Sequence, residues 1–352
     1  MANFDAAKEW VIIISSEIPQ VEKGARDLSR CIGLLAALEG SAASPPPKIL
    51  KALDPMPSGD VPLIILNCED RGNENNGFEW RTGNDRVEIF AESWRGLCNG
   101  IYSFLSALGI SWPAVGQEKL PQRGTLITQT SACEPSNLIE NDPVLMNLRR
   151  FVPSGKKEIN RFLSKAEASV LWAARNRYDA LVFPLEVLAS KKTGRKLSTI
   201  KKIAPEYGIV IEAGGYDLSS LMPRGVFFSH RDFFRMEGGK RKKDHHFCPT
   251  NPQALRLIGK VAKKLFLAAG ETRTFHLWPD NGAEAAWCFC PTCRAFTAQE
   301  QNRMGVNAAA DILAAINPDA IVTFYEKPGE DGRIPLRKNI FRMEKLPEET
   351  KL

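Results

Sequence analysis

The start of the chain alternates between short apolar runs and segments whose apolar residues recur at helical spacing. Residues 10–14 form an apolar run rich in isoleucine, and leucine and isoleucine side chains recur at helical spacing within residues 21–38. This order predicts a strand followed by a helix. Residues 61–66 form a second apolar run of strand length, which predicts a further strand in the same layer.

A hairpin and a capped helix follow. Residues 78–81 and 86–90 flank the turn Gly83-Asn84-Asp85, an arrangement typical of two antiparallel strands. Ser93 is a candidate N-cap for a helix with one apolar stripe, and Gly109 is placed to end that helix. These elements predict a small α+β domain over residues 1–116.

Residues 117–143 are polar, with Pro121 and Pro135 among them and no sustained periodicity, which predicts a surface linker. Residues 144–352 then alternate between strand-like and helix-like stretches, which predicts repeated βα units and a parallel sheet. The predicted strands are 146–151, 180–183, 209–213, 274–278 and 320–325, with one more at 339–342, and the predicted helices are 166–176, one ending near Tyr207, 252–269 and 302–316.

This pattern predicts a parallel sheet of five or six strands. A closed eight-stranded barrel takes about 250 residues, which is more than residues 144–352 supply. We therefore expect a sheet that does not close into such a barrel. A homodimer partner is one way to cover the unpaired sheet edges that would remain.

Composition excludes several classes of protein. The chain has 352 residues, 43% of them hydrophobic, and a net charge of +6, so it is neither disordered nor a small disulfide scaffold. It lacks the run of about 20 apolar residues that a membrane span requires. The start of the chain does not read as a secretory signal, and we therefore expect a cytoplasmic protein.

Cysteines cluster in one short segment. Cys288, Cys290 and Cys293 lie within six residues, and Cys248 precedes a Pro-Thr turn upstream. Four thiolates in a tetrahedral arrangement are what structural zinc requires, and His245 or His246 could replace one of them. Reduced cysteines that only pack a loop are the alternative, whereas the spacing fits an iron–sulfur cluster poorly. No other cofactor is indicated.

Acidic residues follow the predicted strands of the second region, and the active centre of a parallel (β/α) sheet lies at such strand ends. Glycoside hydrolysis needs two carboxyl groups across the scissile bond. Asp280 is our first candidate and Glu326 our second, with Glu284 in reserve for either role. Turns favour acidic residues for structural reasons as well, so the alternative is that these positions carry no chemistry.

Other side chains at the strand ends are candidates for substrate binding. Aromatic faces can stack on a pyranose ring, and paired guanidinium groups can clamp the carboxylate of a uronic acid. The candidates are Trp278, Tyr216 and Tyr325 for stacking, Arg149 and Arg150 for the carboxylate, and Glu186 as a further polar contact.

Two groups of motifs resemble known carbohydrate-active proteins. The hairpin and helix of residues 78–112 resemble the small α+β domain that precedes the barrel in alpha-glucuronidases and beta-hexosaminidases. Further along, WAARNRYD (172–179), YGIVIEAGGY (207–216), CPTNP (248–252), WPD (278–280) and WCFCPTC (287–293) are similar to an uncharacterised glycosidase-like barrel family often fused to that domain. The resemblance covers residues 10–327 and implies a TIM-type (β/α) barrel that handles carbohydrate. With the strand count above, we expect this barrel to be incomplete at the C-terminus and shortened relative to its relatives.

Two functions remain open. The first is a glycoside hydrolase that acts on an oligosaccharide, one containing uronic acid being an option. The second is a non-catalytic carbohydrate-binding or scaffold protein on a degenerate barrel. A nucleic-acid binder would need a larger basic surface than the run at 240–243, and neither nucleic acid nor a membrane is an expected partner.

Overall fold

Two six-stranded sheets make up most of the described part of the protein. The computed structural model describes residues 4–40, 45–69, 75–83, 85–122, 131–135, 148–153, 155–216, 218–280, 287–326 and 332–343. Among these residues, no helix is long and apolar enough to cross a membrane.

The first sheet is mixed and carries two helices. Its strands are β1 (Val11–Ile14), β2 (Lys48–Lys51), β3 (Leu63–Cys68), β4 (Phe78–Thr82), β5 (Arg86–Ala91) and β6 (Ser131–Glu134), and its helices are α1 (Pro19–Leu38) and α2 (Trp94–Ala107). The strand order is β2-β1-β3-β5-β4-β6. Strand β4 runs antiparallel to both of its neighbours, and the other pairs are parallel.

Local sequence signals set the helix of the predicted hairpin unit. Strands β4 and β5 pair antiparallel, as the turn predicts. Ser93 Oγ accepts a hydrogen bond from the Gly96 amide, and Gly109 adopts φ +87° after the helix ends, so both helix boundaries follow from capping. Gly100 lets α2 approach the sheet, because a Cβ there would lie 2.7 Å from Ile89.

Two strands of the first sheet differ from the sequence prediction. Residues 131–134, which the polar pattern assigns to the linker, form the edge strand β6 beside β4. Residues 48–51 form the opposite edge strand β2. Both are four-residue edge strands with few buried side chains, so neither carries the apolar alternation by which a strand is recognised.

The second sheet is entirely parallel. Its strands are β7 (Arg150–Phe151), β8 (Ala180–Phe183), β9 (Val210–Gly215), β12 (Thr274–Leu277), β13 (Ile321–Tyr325) and β14 (Ile340–Met343), and its helices are α3 (Gly155–Ser164), α4 (Ala166–Arg175), α5 (Leu185–Ala189), α6 (Gly194–Ile203), α7 (Pro252–Ala269) and α8 (Ala298–Ile316). A short hairpin lies outside this sheet and consists of two-residue strands, β10 (Met236–Glu237) and β11 (Lys240–Arg241).

Consecutive strands of this sheet are neighbours in the order β14-β13-β12-β9-β8-β7. Six strands and parallel βα units agree with the sequence prediction. Within the described residues the sheet stays open, with β7 and β14 at its edges, and no closed barrel forms. Helix α8 begins four residues earlier than the pattern predicts because Thr297 and Glu300 form a capping box.

The first sheet docks against the amino-terminal edge of the second. Asp179, directly before β8, accepts hydrogen bonds from Arg95 Nη2 at 2.8 Å, from Asn76 Nδ2 at 3.1 Å and from the Arg149 amide at 2.8 Å. A cavity of about 740 Å³ lies at the same edge, lined in part by Trp94, Val210 and Thr272. The carboxyl-terminal edge, where (β/α) proteins bind ligands, is therefore the edge away from this interface.

Candidate active site and cysteine cluster

A network of buried polar side chains joins strands β7, β9, β12 and β13 of the second sheet. Arg150 donates to both carboxylate oxygens of Glu212, at 2.7 and 3.3 Å. His276 Nε2 lies 2.8 Å from Glu212 Oε2, and its Nδ1 lies 2.5 Å from the Thr323 hydroxyl. Trp278 Nε1 donates to the same hydroxyl at 3.1 Å. All five side chains are buried.

One arrangement of protons gives every hydrogen bond of this network a donor and an acceptor. Burial and the nearby charge of Arg150 lower the pKa of His276, although Glu212 raises it, and the imidazole is therefore neutral at pH 7. It then donates from Nε2 to Glu212 and accepts at Nδ1 from Thr323, whose oxygen accepts from Trp278. Burial would raise the pKa of Glu212, but the charge of Arg150 and the hydrogen bond from His276 bring it down to about 2.

Asp280 lies outside this hydrogen-bond network, three residues after β12 ends, and its side chain is 19% exposed. Ser219 donates from its hydroxyl to Asp280 Oδ1 at 2.5 Å, and His245 Nδ1 lies 3.2 Å from Oδ2. Arg224 donates to the Ser219 carbonyl. His245 holds a left-handed backbone with φ +46°, an unfavourable conformation that clusters at functional sites.

The next histidine forms the floor below Asp280. His246 is fully buried and stacks on Trp287, with ring centroids 4.0 Å apart and planes 7° from parallel. Its Nε2 accepts a hydrogen bond from the Asp280 amide at 3.3 Å. Burial lowers the pKa of His246 to about 4, so this ring is neutral and serves as an acceptor.

Glu326 follows β13 but is not available to a ligand. Arg303 from α8 donates to both of its carboxylate oxygens, at 2.8 and 2.6 Å, and Arg342 lies 3.8 Å away. The Glu326 side chain has no exposed surface. The structure therefore places the second catalytic candidate in a buried ion pair.

The predicted binding residues are scattered. Arg150 pairs with Glu212 inside the sheet, and Arg149 precedes β7 at the amino-terminal edge, because the strand begins at Arg150 rather than earlier. Trp278 is fully buried, and Tyr216 packs edge-on against it at 5.5 Å. Glu186 is exposed on α5, Tyr325 is half-buried beside Trp278, and Glu284 lies outside the described residues.

Sequence reasoning missed Glu212, Ser219 and Arg224. Glu212 is a charged residue in the middle of a predicted strand, and that position was a usable signal, since a charge is buried only when it is paired. Ser219 and Arg224 lie in short 3₁₀ turns after β9, and no periodic pattern marks such residues.

The cysteine cluster is assembled as predicted. The sulfur atoms of Cys248, Cys288, Cys290 and Cys293 all lie within 4.8 Å of one another, and all four residues are buried. Cys248 Sγ is 3.6 Å from Cys293 Sγ and 3.8 Å from Cys290 Sγ. His245 and His246 contact Asp280 instead, so the structure offers four sulfur ligands and no histidine among the residues it describes.

Shared hydrogen bonds shift the pKa values of three of these thiols in opposite directions. Hydrogen bonds from Cys288 and Cys293 hold the pKa of Cys248 well below its usual range. The hydrogen bond to Cys248 in turn raises the pKa of Cys288 to about 11, and that of Cys293 is raised for the same reason. One thiolate therefore suppresses ionisation of its neighbours when no cation compensates for it.

Comparison with known proteins bears on the fold. No family model and no curated protein matches this chain. Among solved structures, it is similar to a GH138 enzyme targeting pectin rhamnogalacturonan II, at 12% identity over 95% of this chain and a TM-score of 0.52. It is also similar to the GH20 chitobiase of Flavobacterium johnsoniae, at 12% identity over 92% of this chain and a TM-score of 0.51.

These similarities show a glycosidase-like fold. The chain spans 38% of the GH138 enzyme and 50% of the chitobiase. The expected alpha-glucuronidase-type domain and the uncharacterised barrel family are not among these matches and stay predictions.

Proposed function

We propose that this protein is carbohydrate-active and hydrolyses an oligosaccharide at the carboxyl-terminal edge of the second sheet, with Asp280 as a catalytic carboxylate. The observation that carries the proposal is the setting of Asp280. It follows β12 at the ligand-binding edge of a glycosidase-like fold, is partly exposed, and has both oxygens held, by Ser219 and His245.

The orientation of Asp280 suits the chemistry. A carboxyl group that protonates a leaving oxygen, activates water or attacks a sugar carbon must face the scissile bond in a fixed position. Contacts at Oδ1 and Oδ2 hold the side chain, and the hydrogen bond from the backbone amide holds the main chain of the same residue. The strained backbone of His245 is consistent with a site that is held in shape for function.

A second carboxyl group is required for hydrolysis by the common mechanisms. Glu326 and Glu212 are both engaged by buried arginines, and neither suits the role. We keep Glu284, four residues after Asp280, as the candidate; its position lies outside the described residues.

The second candidate function is non-catalytic glycan binding. The specific observation in its favour is the paired state of Glu326, which removes one of the two carboxylates that the sequence suggested. A protein that retained the fold and Asp280 as a hydrogen-bonding group would bind a sugar without cleaving it.

The nature of the sugar is a finer proposal. Arg150 and Arg149 do not lie beside Asp280, which weakens the expectation that they clamp a uronic acid. Arg224 does lie near Asp280, anchored by the carbonyl groups of Ser219 and Lys243. We assign any contact with an acidic sugar to Arg224, since a guanidinium can hold a carboxylate with two parallel hydrogen bonds.

The test is a screen of the purified protein against aryl glycosides, aryl 2-acetamido glycosides and aryl uronides. Asp280→Asn is the variant, and Asp319→Asn, an exposed aspartate between α8 and β13, is the matched control. We expect hydrolysis that Asp280→Asn abolishes and Asp319→Asn retains. Glycan binding measured by calorimetry without any hydrolysis would favour the second function, and loss of both would refute the proposal.

A further inference from the structure

The four cysteine sulfurs lie close enough together to share one metal ion. Around a tetrahedral zinc with Zn–S bonds of about 2.3 Å, sulfur atoms lie about 3.8 Å apart. The separations of 3.6 and 3.8 Å from Cys248 match this value, whereas a disulfide requires about 2.05 Å. We infer that Cys248, Cys288, Cys290 and Cys293 bind one zinc ion as a structural site.

The surroundings of the sulfurs complete a metal-thiolate site. The Met236 amide lies 3.3 Å from Cys288 Sγ, Arg241 Nη1 lies 3.7 Å from the same atom, and the Thr250 hydroxyl lies 3.1 Å from Cys293 Sγ. Four thiolates on a divalent zinc carry a net charge of −2, and these donors and the arginine charge offset it. Such outer contacts orient ligands and tune a bound metal.

Gln301 fixes the ligand loop from α8. Its side-chain oxygen accepts from the Cys288 amide at 3.0 Å, and its Nε2 donates to the carbonyl groups of Cys288 and Cys293. Gln301 is buried, so it serves the loop rather than solvent. The cysteine-bearing segment is therefore preorganised by protein contacts on one side and would be completed by the metal on the other.

The coordination sphere of the inferred zinc ion is complete, which makes the site structural rather than catalytic. Four sulfur ligands fill a tetrahedral zinc and leave no position for water or substrate. A Cys-x-Cys-x-x-Cys segment with one distant cysteine also departs from the spacing of the usual iron–sulfur binders. This chemistry favours zinc over an iron–sulfur cluster at the same sulfurs.

Zinc would join the two segments that surround Asp280. Cys248 ends the segment that carries His245 and His246, and Cys288 follows Trp287, on which His246 stacks. Holding the two segments together keeps the His246–Trp287 stack beneath the Asp280 amide. The metal site itself does not depend on the proposed hydrolysis, so either can fail alone.

The first test is the metal content of the wild-type protein purified without chelator, measured by plasma mass spectrometry. We expect close to one zinc per chain, and X-ray absorption should show four sulfur neighbours at about 2.3 Å. Absence of transition metal, or iron together with inorganic sulfide, would overturn the inference. This test needs no variant, so it stands even where a cysteine substitution prevents folding.

The second test compares Cys290→Ser with Cys133→Ser, which alters an exposed cysteine outside the cluster. Zinc should be lost from Cys290→Ser on dialysis and retained by Cys133→Ser, and only the former should unfold at a lower temperature. Asp280→Asn should keep its full zinc content, which separates failure of the metal site from failure of the proposed function. Equal zinc retention in both cysteine variants would contradict the assignment.

Discussion

Arg303 donates two parallel hydrogen bonds, of 2.8 and 2.6 Å, to the Glu326 carboxylate at the carboxyl-terminal edge of the second sheet. The guanidinium also donates to the carbonyl groups of Gly332 and Ile334. One side chain thus joins α8, the end of β13 and the segment that leads into β14. This makes Glu326 a structural partner in the part of the chain the structure describes.

Replacing Glu326 by Gln should destabilise the protein without abolishing its chemistry. The change leaves the Arg303 charge buried without its partner, which typically costs about 3–5 kcal/mol. Urea unfolding should show this loss, while Asp311→Asn, which breaks an exposed pair with Arg337, should cost less than about 1 kcal/mol. Loss of hydrolysis in folded Glu326→Gln with unchanged glycan binding would instead restore Glu326 as catalytic.

The long elements of the fold were predictable because their patterns are strong. Helix α7 spans Pro252–Ala269 as predicted, and Pro at its start and Gly270 after its end mark both boundaries. The short edge strand β6 was not predictable, because Ser131–Glu134 has two polar ends and is stabilised by pairing with β4. Tertiary pairing of this kind leaves no local signal.

The candidate site was predictable in part. Strand ends identified Asp280, and local spacing with one distant cysteine identified the cluster. The partners of Asp280 were not predictable, because Ser219 is 61 residues away and lies in a 3₁₀ turn. Nor could the sequence show that Arg150 faces Glu212 across 62 residues, since pairing between distant strands is settled only by the fold.

Acid should weaken the protein through Glu212. Its pKa in the folded state is about 2, against an ordinary value near 4.5. Because the folded value is the lower one, the stabilisation is complete above about pH 4.5 and is lost as the pH falls towards 2. The difference corresponds to on the order of 3 kcal/mol.

Unfolding measured from pH 7 to pH 2.5 checks this prediction. Glu212→Gln should be less stable at pH 7 and should lose less stability on acidification than the wild type. Asp319→Asn is again the control, and its acid dependence should follow that of the wild type. Parallel curves for Glu212→Gln and the wild type would contradict the role of Glu212.

Asp179 should control how the two sheets dock. Asp179→Ala removes the acceptor for Arg95, Asn76 and the Arg149 amide, and leaves Arg95 largely buried without a carboxylate. We expect a loss of about 3 kcal/mol and faster proteolytic cleavage between the two halves. Lys8, whose ion pair with Asp85 is exposed, provides the comparison, because Lys8→Ala should change neither measurement. Unchanged proteolysis of Asp179→Ala would show that other contacts hold the interface.

Ser219 should govern the activity of Asp280. Ser219→Ala removes the 2.5 Å hydrogen bond to Oδ1, and a hydrogen bond to a charged group contributes about 1.5–3 kcal/mol, so hydrolysis should fall by about tenfold or more. Ser229→Ala is the matched control, since Ser229 is exposed and its hydroxyl donates to the Val226 carbonyl. Steady-state kinetics on the best aryl substrate measure both variants, with thermal unfolding to show that each is folded. A lower kcat in Ser219→Ala with an unchanged unfolding temperature supports a positioning role for the hydroxyl. A purely structural role would instead lower the unfolding temperature. Equal rates in folded Ser219→Ala, Ser229→Ala and wild type would mean that the orientation of Asp280 does not limit the reaction.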